Sequence, residues 1–343
     1  MSDLETHTGG VGAPPPGSNK NLLEYWNKPV GELATVATSE IALEERERHR
    51  IYSLLTMAIT AVFWNGNKRG QDGVYPWRPL QRKPNGTYQG DRYLGHNIAS
   101  LAVAGNGEII DFDFNHNDIF NSSAEHAEAR LVRRVFNLNQ IYDNWQTKKP
   151  GERPPSSYGT VLTNVTIYTS LESCAQCSGI MTLGNVKSVV YLQTDPGQYR
   201  VGNMLYNLTR PLSGNAAKYG APEPIDASTF GFEYKPDLDT AYRDYSTRVT
   251  KPDQPAFFEP TDSSASIDRS PAITSFLCTD AALNIFSAAR GELDKFVPQY
   301  PDYRPKDGGG DPSTVLSNQN AVDHARAFLN HVQHKARRGT PHR

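Results

Sequence analysis

Cysteine is scarce in this chain. Three cysteines among 343 residues are too few for the disulfide framework that stabilises small secreted domains. Cys174 and Cys177 form a C-x-x-C pair and leave Cys278 alone. This usage is typical of a reducing compartment, in which thiols bind metal ions. The sequence therefore excludes the class of disulfide-rich extracellular domains.

A hydrophobic run long enough for a membrane helix is also lacking. The apolar stretch at residues 51–64 has 14 residues and includes a serine and two threonines, whereas a membrane helix needs about 20 mostly apolar residues. The first twenty residues contain neither the basic region nor the apolar region of a secretory signal. We therefore expect a cytoplasmic protein with no membrane partner.

An excess of either charge is absent as well. The 35 Lys and Arg residues nearly balance the 37 Asp and Glu residues, and the formal net charge is -2. A chain with this balance has no global attraction to the phosphate backbone of nucleic acids. This argues against a dedicated nucleic-acid-binding protein but leaves a local basic groove open.

The spacing of apolar residues predicts an alternating series of helices and strands. The predicted elements are a helix at 38–63, a hairpin at 98–114 around Asn106-Gly107, a helix at 124–138, a strand at 161–169, a helix at 174–183, a strand at 186–192, and helices at 279–289 and 318–336. The order helix, β, β, helix, β, helix, β indicates a three-layer α/β domain with helices on both faces of a sheet.

Composition divides the chain into three parts. Residues 1–37 are expected to be a flexible tail, because the first twenty are rich in Gly and Pro and offer little apolar surface to bury. The α/β domain is expected at 38–300, with its core at 96–195. Gly, Pro and aromatic residues interrupt this domain at 65–95, where we expect a long insertion. A C-terminal helical extension is predicted at 301–343.

Two predicted helix starts carry residue types that bind zinc. Cys174 and Cys177 lie three residues apart, so both sulfur atoms lie on one helical face and can reach one ion. His126, 48 residues before Cys174, opens the preceding helix and completes three ligands, which leaves a fourth position for water. The spacing predicts an open zinc site. A closed structural zinc site or a redox pair, with His126 as a helix cap, is the alternative.

Glu128 follows His126 by two residues rather than by one helical turn. We therefore expect its carboxylate to reach a water on the metal and not the metal itself. A carboxylate in that position is a general base beside a Lewis acid.

The H-x-E and C-x-x-C motifs together are the signature of the zinc-dependent deaminases of the cytidine deaminase superfamily. The sequence resembles that family at HAEARL, at LESCAQCSGIM and in the order of elements around both motifs. The following Gly184-Asn185 and VKSVVY are most similar to the branch that holds tRNA adenosine deaminases, guanine deaminases and the riboflavin-pathway deaminase. The resemblance covers residues 96–195. It departs from the family at Ser173, where proline usually precedes the first cysteine.

This resemblance implies a fold, a cofactor and a reaction. The implied fold is the three-layer α-β-α cytidine-deaminase-like fold with a central mixed sheet, here with a long insertion and a C-terminal extension. The implied cofactor is zinc, which lowers the pKa of its water so that hydroxide attacks an aromatic carbon bearing an amino group. Glu128 would carry the protons from the water to the ring and to the departing ammonia.

The resemblance also implies substrate contacts. Family members hold the substrate with an Asn shortly before the H-x-E motif. Asn115 and Asn117 lie eleven and nine residues before His126, and Asn115 is the preferred candidate. Ala127, between the histidine and the glutamate, is a further expected substrate contact.

The substrate class is open between three hypotheses. The first is a small molecule with an exocyclic amino group, such as a nucleobase, nucleoside or nucleotide, which would place the enzyme in nucleotide metabolism as a homo-oligomer. The second is a nucleic-acid-editing deaminase, supported by basic and aromatic residues in the 65–95 insertion. The third is a non-catalytic zinc-stabilised interaction module. We favour the small molecule and interpret the insertion as a lid or a dimer contact.

Several other polar residues near the motifs are interpreted as structural. Arg130, Arg133 and Arg134 are expected to form a solvated helix face. Glu125 is expected to be a favourable acid in the first helical turn. His116 is interpreted as a surface or turn residue, and Cys278 as a buried core residue.

Overall fold

Five strands form one mixed sheet at the centre of the computed structural model, which describes residues 12–16, 18, 20–37, 40–64, 96–117, 122–145, 162–210, 220–250, 271–306 and 312–336. The strands are β1 Ala99–Ala104, β2 Ile109–Phe114, β3 Val165–Thr169, β4 Ser188–Tyr191 and β5 Glu223–Asp226. Their spatial order is β2-β1-β3-β4-β5. Strand β1 is antiparallel to β2 and β3, whereas β4 is parallel to β3 and to β5. Four strands therefore run in one direction and β1 runs against them.

Helices of very different length surround the sheet. Within the described ranges they are α1 Lys20–Tyr25, α2 Val30–Leu33, α3 Leu43–Val62, α4 Ala127–Trp145, α5 Ala175–Leu183, α6 Val201–Thr209, α7 Tyr234–Val249, α8 Ile273–Phe276, α9 Asp280–Lys295 and α10 Asn318–Ala336. Short 3-10 turns lie at Pro196–Gln198, Ala227–Phe230 and Pro312–Thr314. No helix within these ranges is long and apolar enough to cross a bilayer.

Alternation along the strands creates two hydrophobic cores, one on each face of the sheet. Leu101 and Tyr168 pack with α3, α9 and α10 in one cluster, while their chain neighbours Ala102 and Ile167 pack with α4 and α5 in the other. Successive side chains of a strand point to opposite faces, so strands β1 to β4 contribute to both cores. The predicted three-layer α/β fold class with a mixed sheet is confirmed.

The hairpin of β1 and β2 turns at Gly107, as predicted. Gly107 has φ +93°, and a β-carbon at this position would collide with the side chains of Arg48 and Tyr52. Asn106 Oδ1 accepts a hydrogen bond of 3.1 Å from the backbone N–H of Glu108. The glycine is thus required both by the backbone conformation and by the close approach of α3.

The element boundaries differ from the sequence-based ones in places. Helix α3 begins at Leu43, five residues later than predicted, with Ala42 as its N-cap, and residues 38 and 39 at the predicted start lie outside the described residues. Helix α4 begins three residues later than predicted. Strand β5 and helix α7 were not predicted. Strand β5 has four residues and contains Pro224, which lacks a backbone donor and occurs mostly on edge strands.

Residues 20–37, within the segment predicted as a flexible tail, contain helices α1 and α2, which attach to α6. The carboxamide of Asn21 donates to the backbone oxygens of Asn207 and Arg210, at 3.1 and 2.8 Å. In return, Asn207 donates to the backbone oxygens of Leu33 and Thr35, at 2.7 and 2.8 Å. Buried asparagines therefore hold this segment in place of a large apolar contact.

Helix α10, within the predicted C-terminal extension, shares the core of the α/β domain. Its residues Val322 and Leu329 belong to the same hydrophobic cluster as Leu54 of α3. The buried carboxylate of Glu47 accepts hydrogen bonds from the backbone N–H of Tyr300, at 2.9 Å, and from Asn318 Nδ2, at 3.1 Å. The packing of the C-terminal segment thus depends on both apolar and polar contacts with α3.

Candidate metal centre

Helices α4 and α5 begin at the same edge of the sheet. Strand β2 ends at Phe114 and β3 ends at Thr169, and the two strands run in the same direction. The chain leaves each strand at its carboxyl end and enters a helix shortly afterwards. This edge is where ligand sites form in open α/β sheets.

Three predicted ligands lie together at this edge. His126 Nδ1 is 3.3 Å from Cys174 Sγ and 3.7 Å from Cys177 Sγ, and the two sulfur atoms are 3.5 Å apart. A tetrahedral zinc ion with ordinary bond lengths would separate nitrogen and sulfur ligands by about 3.6 Å and two sulfur ligands by about 3.8 Å. The donor set fits zinc in both chemistry and spacing, and the cluster could bind a metal ion.

The two cysteines of the cluster differ in acidity. Hydrogen bonds with Cys177 and with His126 lower the pKa of Cys174 to about 4. The hydrogen bond with Cys174, together with burial, raises the pKa of Cys177. The contact with Cys174 also raises the pKa of His126. At neutral pH Cys174 is therefore a thiolate, while Cys177 must release a proton when it binds a cation.

Glu128 lies against the cluster and is buried, with 3% of its surface exposed. Its Oε1 accepts hydrogen bonds from Thr169 Oγ1 at 3.1 Å and from Ser173 Oγ at 3.2 Å. Its Oε2 is 3.4 Å from Cys177 Sγ. Burial raises the pKa of the Glu128 carboxyl. One oxygen is thus fixed by two hydroxyl groups, and the other faces the cluster.

Sequence reasoning missed the role of Ser173. The available signal was the departure from the family pattern, because serine brings a hydroxyl to a position at which proline brings none. Ser173 is buried and directly precedes Cys174. Its hydroxyl therefore links the loop that carries the cysteines to the glutamate of α4.

Two of the expected substrate residues contact each other. Asn115 is buried, and its Oδ1 accepts a hydrogen bond of 2.7 Å from the backbone N–H of Ala127. Asn117 lies farther from the helix start, and its backbone oxygen accepts from the N–H of Ser122 at 3.0 Å. The structure brings Asn115 and Ala127 together beside His126. It does not join Asn117 to them.

The arginines of α4 do not form the expected solvated face. Arg130 and Arg134 are ion-paired with carboxylates on β2, and Arg133 is half exposed but paired with Glu125. The signal in the sequence was the alternation of DFDF at 111–114, which places two aspartates on the face that α4 covers.

His116 is buried, so the surface alternative of the expectation for this residue is wrong. Its Nδ1 lies 2.8 Å from the backbone oxygen of Phe114. Cys278 is buried, as expected, and its sulfur lies 3.6 Å from the backbone oxygen of Thr274. Cys278 is not a member of the metal cluster.

A small cleft, with a cavity volume of about 10 Å³, lies beside this centre. Ser173 lines it, together with Glu172, Ser178 and Tyr191, but the three cluster residues do not. Burial raises the pKa of Glu172 to about 7. The cleft therefore contacts neighbours of the two cysteines but is not lined by the candidate metal ligands.

Part of the chain is similar to a solved structure. No protein-family model matches the chain, and no curated protein matches it. The solved structure comes from a study of A-to-I editing by tRNA:A34 deaminases at the wobble position of transfer RNA. It is 18% identical, the alignment covers 38% of this chain and 82% of that chain, and the TM-score is 0.26.

Proposed function

We propose that this protein is a zinc-dependent hydrolytic deaminase of a small heteroaromatic amine, such as a nucleobase, nucleoside or nucleotide. One observation carries the proposal: a buried glutamate faces a group of one histidine and two cysteines whose spacing suits zinc. A structural zinc site would need a fourth protein ligand. Within the described residues, the group has three members.

His126 Nδ1, Cys174 Sγ and Cys177 Sγ would hold the ion. When bound, zinc would supply Lewis acidity and lower the pKa of a water molecule towards neutrality. The low pKa of Cys174 prepares one ligand in its charged form.

Glu128 would carry protons during the reaction. It would take the first proton from the attacking water and pass it to the ring nitrogen. It would then take the remaining proton from the new hydroxyl group on the ring carbon and pass it to the amino group, which would leave as ammonia as the carbonyl forms. Burial raises its pKa, which moves a carboxyl group towards the range in which it both accepts and donates a proton near neutral pH. A shuttle of this kind contributes on the order of 10² to 10⁴ in rate.

Asn115 and Ala127 would contact the substrate. Since Asn115 Oδ1 accepts the N–H of Ala127, the carboxamide is oriented and its amino group is the part that can donate to a ring oxygen. Asn117 remains a weaker candidate for the same role.

The nucleic-acid-editing hypothesis depends on the sequence of the 65–95 insertion, which lies outside the described residues. The non-catalytic hypothesis requires only the metal. Catalysis separates the non-catalytic hypothesis from the other two, and substrate size separates the small-molecule and nucleic-acid hypotheses.

The test is an ammonia-release screen of the purified, zinc-reconstituted chain against free bases, nucleosides, nucleotides, pterins and single-stranded oligonucleotides. We expect the enzyme to turn over one class of small-molecule substrate. Elemental analysis should find about one zinc per chain. Glu128→Ala is the matched variant, because it removes the shuttle and no ligand, so it should keep zinc and lose nearly all turnover. Cys174→Ala should lose zinc as well.

Two results would contradict the proposal. If the parent protein binds no zinc after reconstitution, zinc is not its cofactor. If the Glu128→Ala variant is as active as the parent, Glu128 does not carry protons in the reaction, and a structural metal site is favoured.

A further inference from the structure

A network of ion pairs lies at the beginning of α4. Asp113 has no exposed surface, and its Oδ1 is 3.2 Å from Arg130 Nε. The other end of the same guanidinium lies 2.6 Å from Glu125 Oε2. Arg133 Nη2 approaches the second oxygen of Glu125 at 2.9 Å. Arg130 thus connects a fully buried carboxylate of β2 to the residue that precedes His126.

The backbone is attached at the same place. The N–H of His116 donates to the backbone oxygen of Glu125 at 2.8 Å, and the N–H of Ala127 donates to Asn115 Oδ1 at 2.7 Å. The residues on both sides of His126 are therefore held to the chain that leaves β2. His126 lies between two anchored positions.

His126 needs this support because the other two ligands belong to a different helix. Cys174 and Cys177 lie at the start of α5, so the distance to His126 depends on how the segment before α4 is held. Gln176 Nε2 of α5 donates to the backbone oxygen of Ala124 at 2.9 Å, and the ion pairs above hold the same segment to β2. Zinc bond lengths must be met within about 0.2 Å. A histidine on an unsupported loop would meet that requirement in only a fraction of its conformations.

A second ion pair on the same two elements provides a comparison. Arg134 Nη2 donates to Asp111 Oδ1 at 3.0 Å, two residues earlier on β2 and one helical turn further into α4. Arg134 Nη1 also lies 3.5 Å from Asp113 Oδ2. In the part of the chain that the structure describes, however, neither Asp111 nor Arg134 is paired with Glu125, so this pair does not reach the segment before the helix. Attachment of α4 to β2 therefore does not by itself require a link to Glu125.

We propose that Asp113, Arg130 and Glu125 are positioning residues, which set the place of His126 and thereby the affinity of the centre for zinc. They are not members of the group that could hold the metal, and they act through the backbone on either side of His126. The proposal rests on the metal centre of the proposed function. Residues that orient a ligand from outside typically change metal affinity by about 10- to 100-fold.

The experiment measures zinc affinity of the full chain by competition with a chromophoric chelator, together with the midpoint of thermal unfolding of the metal-free protein. Glu125→Gln and Arg130→Met remove the link at partly exposed positions. Asp111→Asn is the control, because it breaks an ion pair of the same elements that does not reach Glu125. We expect the first two variants to bind zinc about 10- to 100-fold more weakly, and the control to bind it as the parent does.

Two further readouts identify a positioning role. The double variant should bind zinc no more weakly than the worse single variant, because both changes break one link. With cobalt in place of zinc, the visible absorption of Glu125→Gln should shift, since a displaced His126 alters the coordination geometry, while Asp111→Asn should keep the parent spectrum.

The proposal is wrong if all three variants bind zinc as tightly as the parent while their midpoints of thermal unfolding fall by similar amounts. The network would then serve only the packing of α4. A parent protein that binds no zinc would overturn the proposed function first, and the positioning role with it. The comparison between parent and variants keeps these two failures apart.

Discussion

At the scale of single residues, Ser173 joins the loop that carries the cysteines to Glu128. Both hydroxyls that contact Glu128 donate to the same oxygen, from Thr169 at 3.1 Å and from Ser173 at 3.2 Å. A buried carboxylate without such donors would be costly. The two contacts leave Oε2 directed towards the cluster, so Ser173 takes part in fixing the orientation of the proposed proton carrier.

Replacing Ser173 tests that role. Ser173→Ala and Ser173→Pro should both keep zinc and fold, but lower kcat by about 10- to 100-fold, the effect of losing one hydrogen bond to a charged group. The measurement is kcat on the substrate found in the ammonia screen, with zinc content alongside. Ser178→Ala is the control, because Ser178 is also a buried serine near the cysteines but does not contact Glu128. Equal kcat in parent and Ser173→Ala would exclude the role.

The grouping of the three candidate ligands could be predicted from sequence because their spacing has a direct meaning. Cys174 is the N-cap of α5 and Cys177 lies in its first turn, and the structure brings His126 to them. The contacts of Ser173 and Arg130 could not be predicted, because each depends on the rotamer of a side chain that reaches another element. Spacing along the chain does not determine such contacts.

At the scale of elements, α3 carries a histidine that burial keeps uncharged. His49 packs against Phe230, with ring centroids 5.4 Å apart, and its Nδ1 is 2.9 Å from Tyr168 Oη. Burial, with smaller contributions from Arg48 and Lys187, lowers the pKa of His49 from 6.5 to about 4. The unfolded chain therefore binds a proton here at pH values at which the folded protein does not.

This difference predicts a loss of stability in acid. Between pH 6.5 and about 4, His49 should lower the free energy of unfolding by about 3 kcal/mol as the pH falls. His49→Gln should remove this contribution, because glutamine does not titrate. Urea unfolding of parent and variant across that range measures it, since groups common to both proteins cancel in the difference. Parallel pH profiles would show that His49 is not the cause.

Elements with a clear period were predicted, whereas those stabilised by distant partners were not. The hairpin around Gly107 has its turn residues in the sequence, and α5 ends at Leu183, as predicted. Helix α7 is polar over most of its length, with Leu238 and Tyr245 among its few buried apolar residues, so its period is weak. Strand β5 is stabilised by pairing with β4, which a single sequence does not reveal.

At the scale of the whole molecule, the near balance of charge bears on the choice of substrate. The net charge of the chain is -2. The 65–95 insertion is locally basic: its only acidic residues are Asp72 and Asp91, and its basic residues are Lys68, Arg69, Arg78, Arg82, Lys83 and Arg92. A polynucleotide substrate would have to use such a local group, because the rest of the chain does not attract phosphate. A small substrate has no such requirement.

Salt dependence separates the two substrate classes without knowledge of the substrate. If the insertion followed a single strand, binding of a labelled oligonucleotide would weaken steeply with salt. Neutral residues at Arg78, Arg82 and Lys83 would then reduce the logarithmic slope by about 0.7 for each phosphate that the protein no longer neutralises. The control removes the same number of charges at Lys335, Arg337 and Arg338. We expect weak binding with a shallow slope in parent and both variants, since the chain lacks a net positive charge. A steep slope that only the first variant flattens, with turnover of the oligonucleotide, would instead establish a nucleic-acid-editing enzyme.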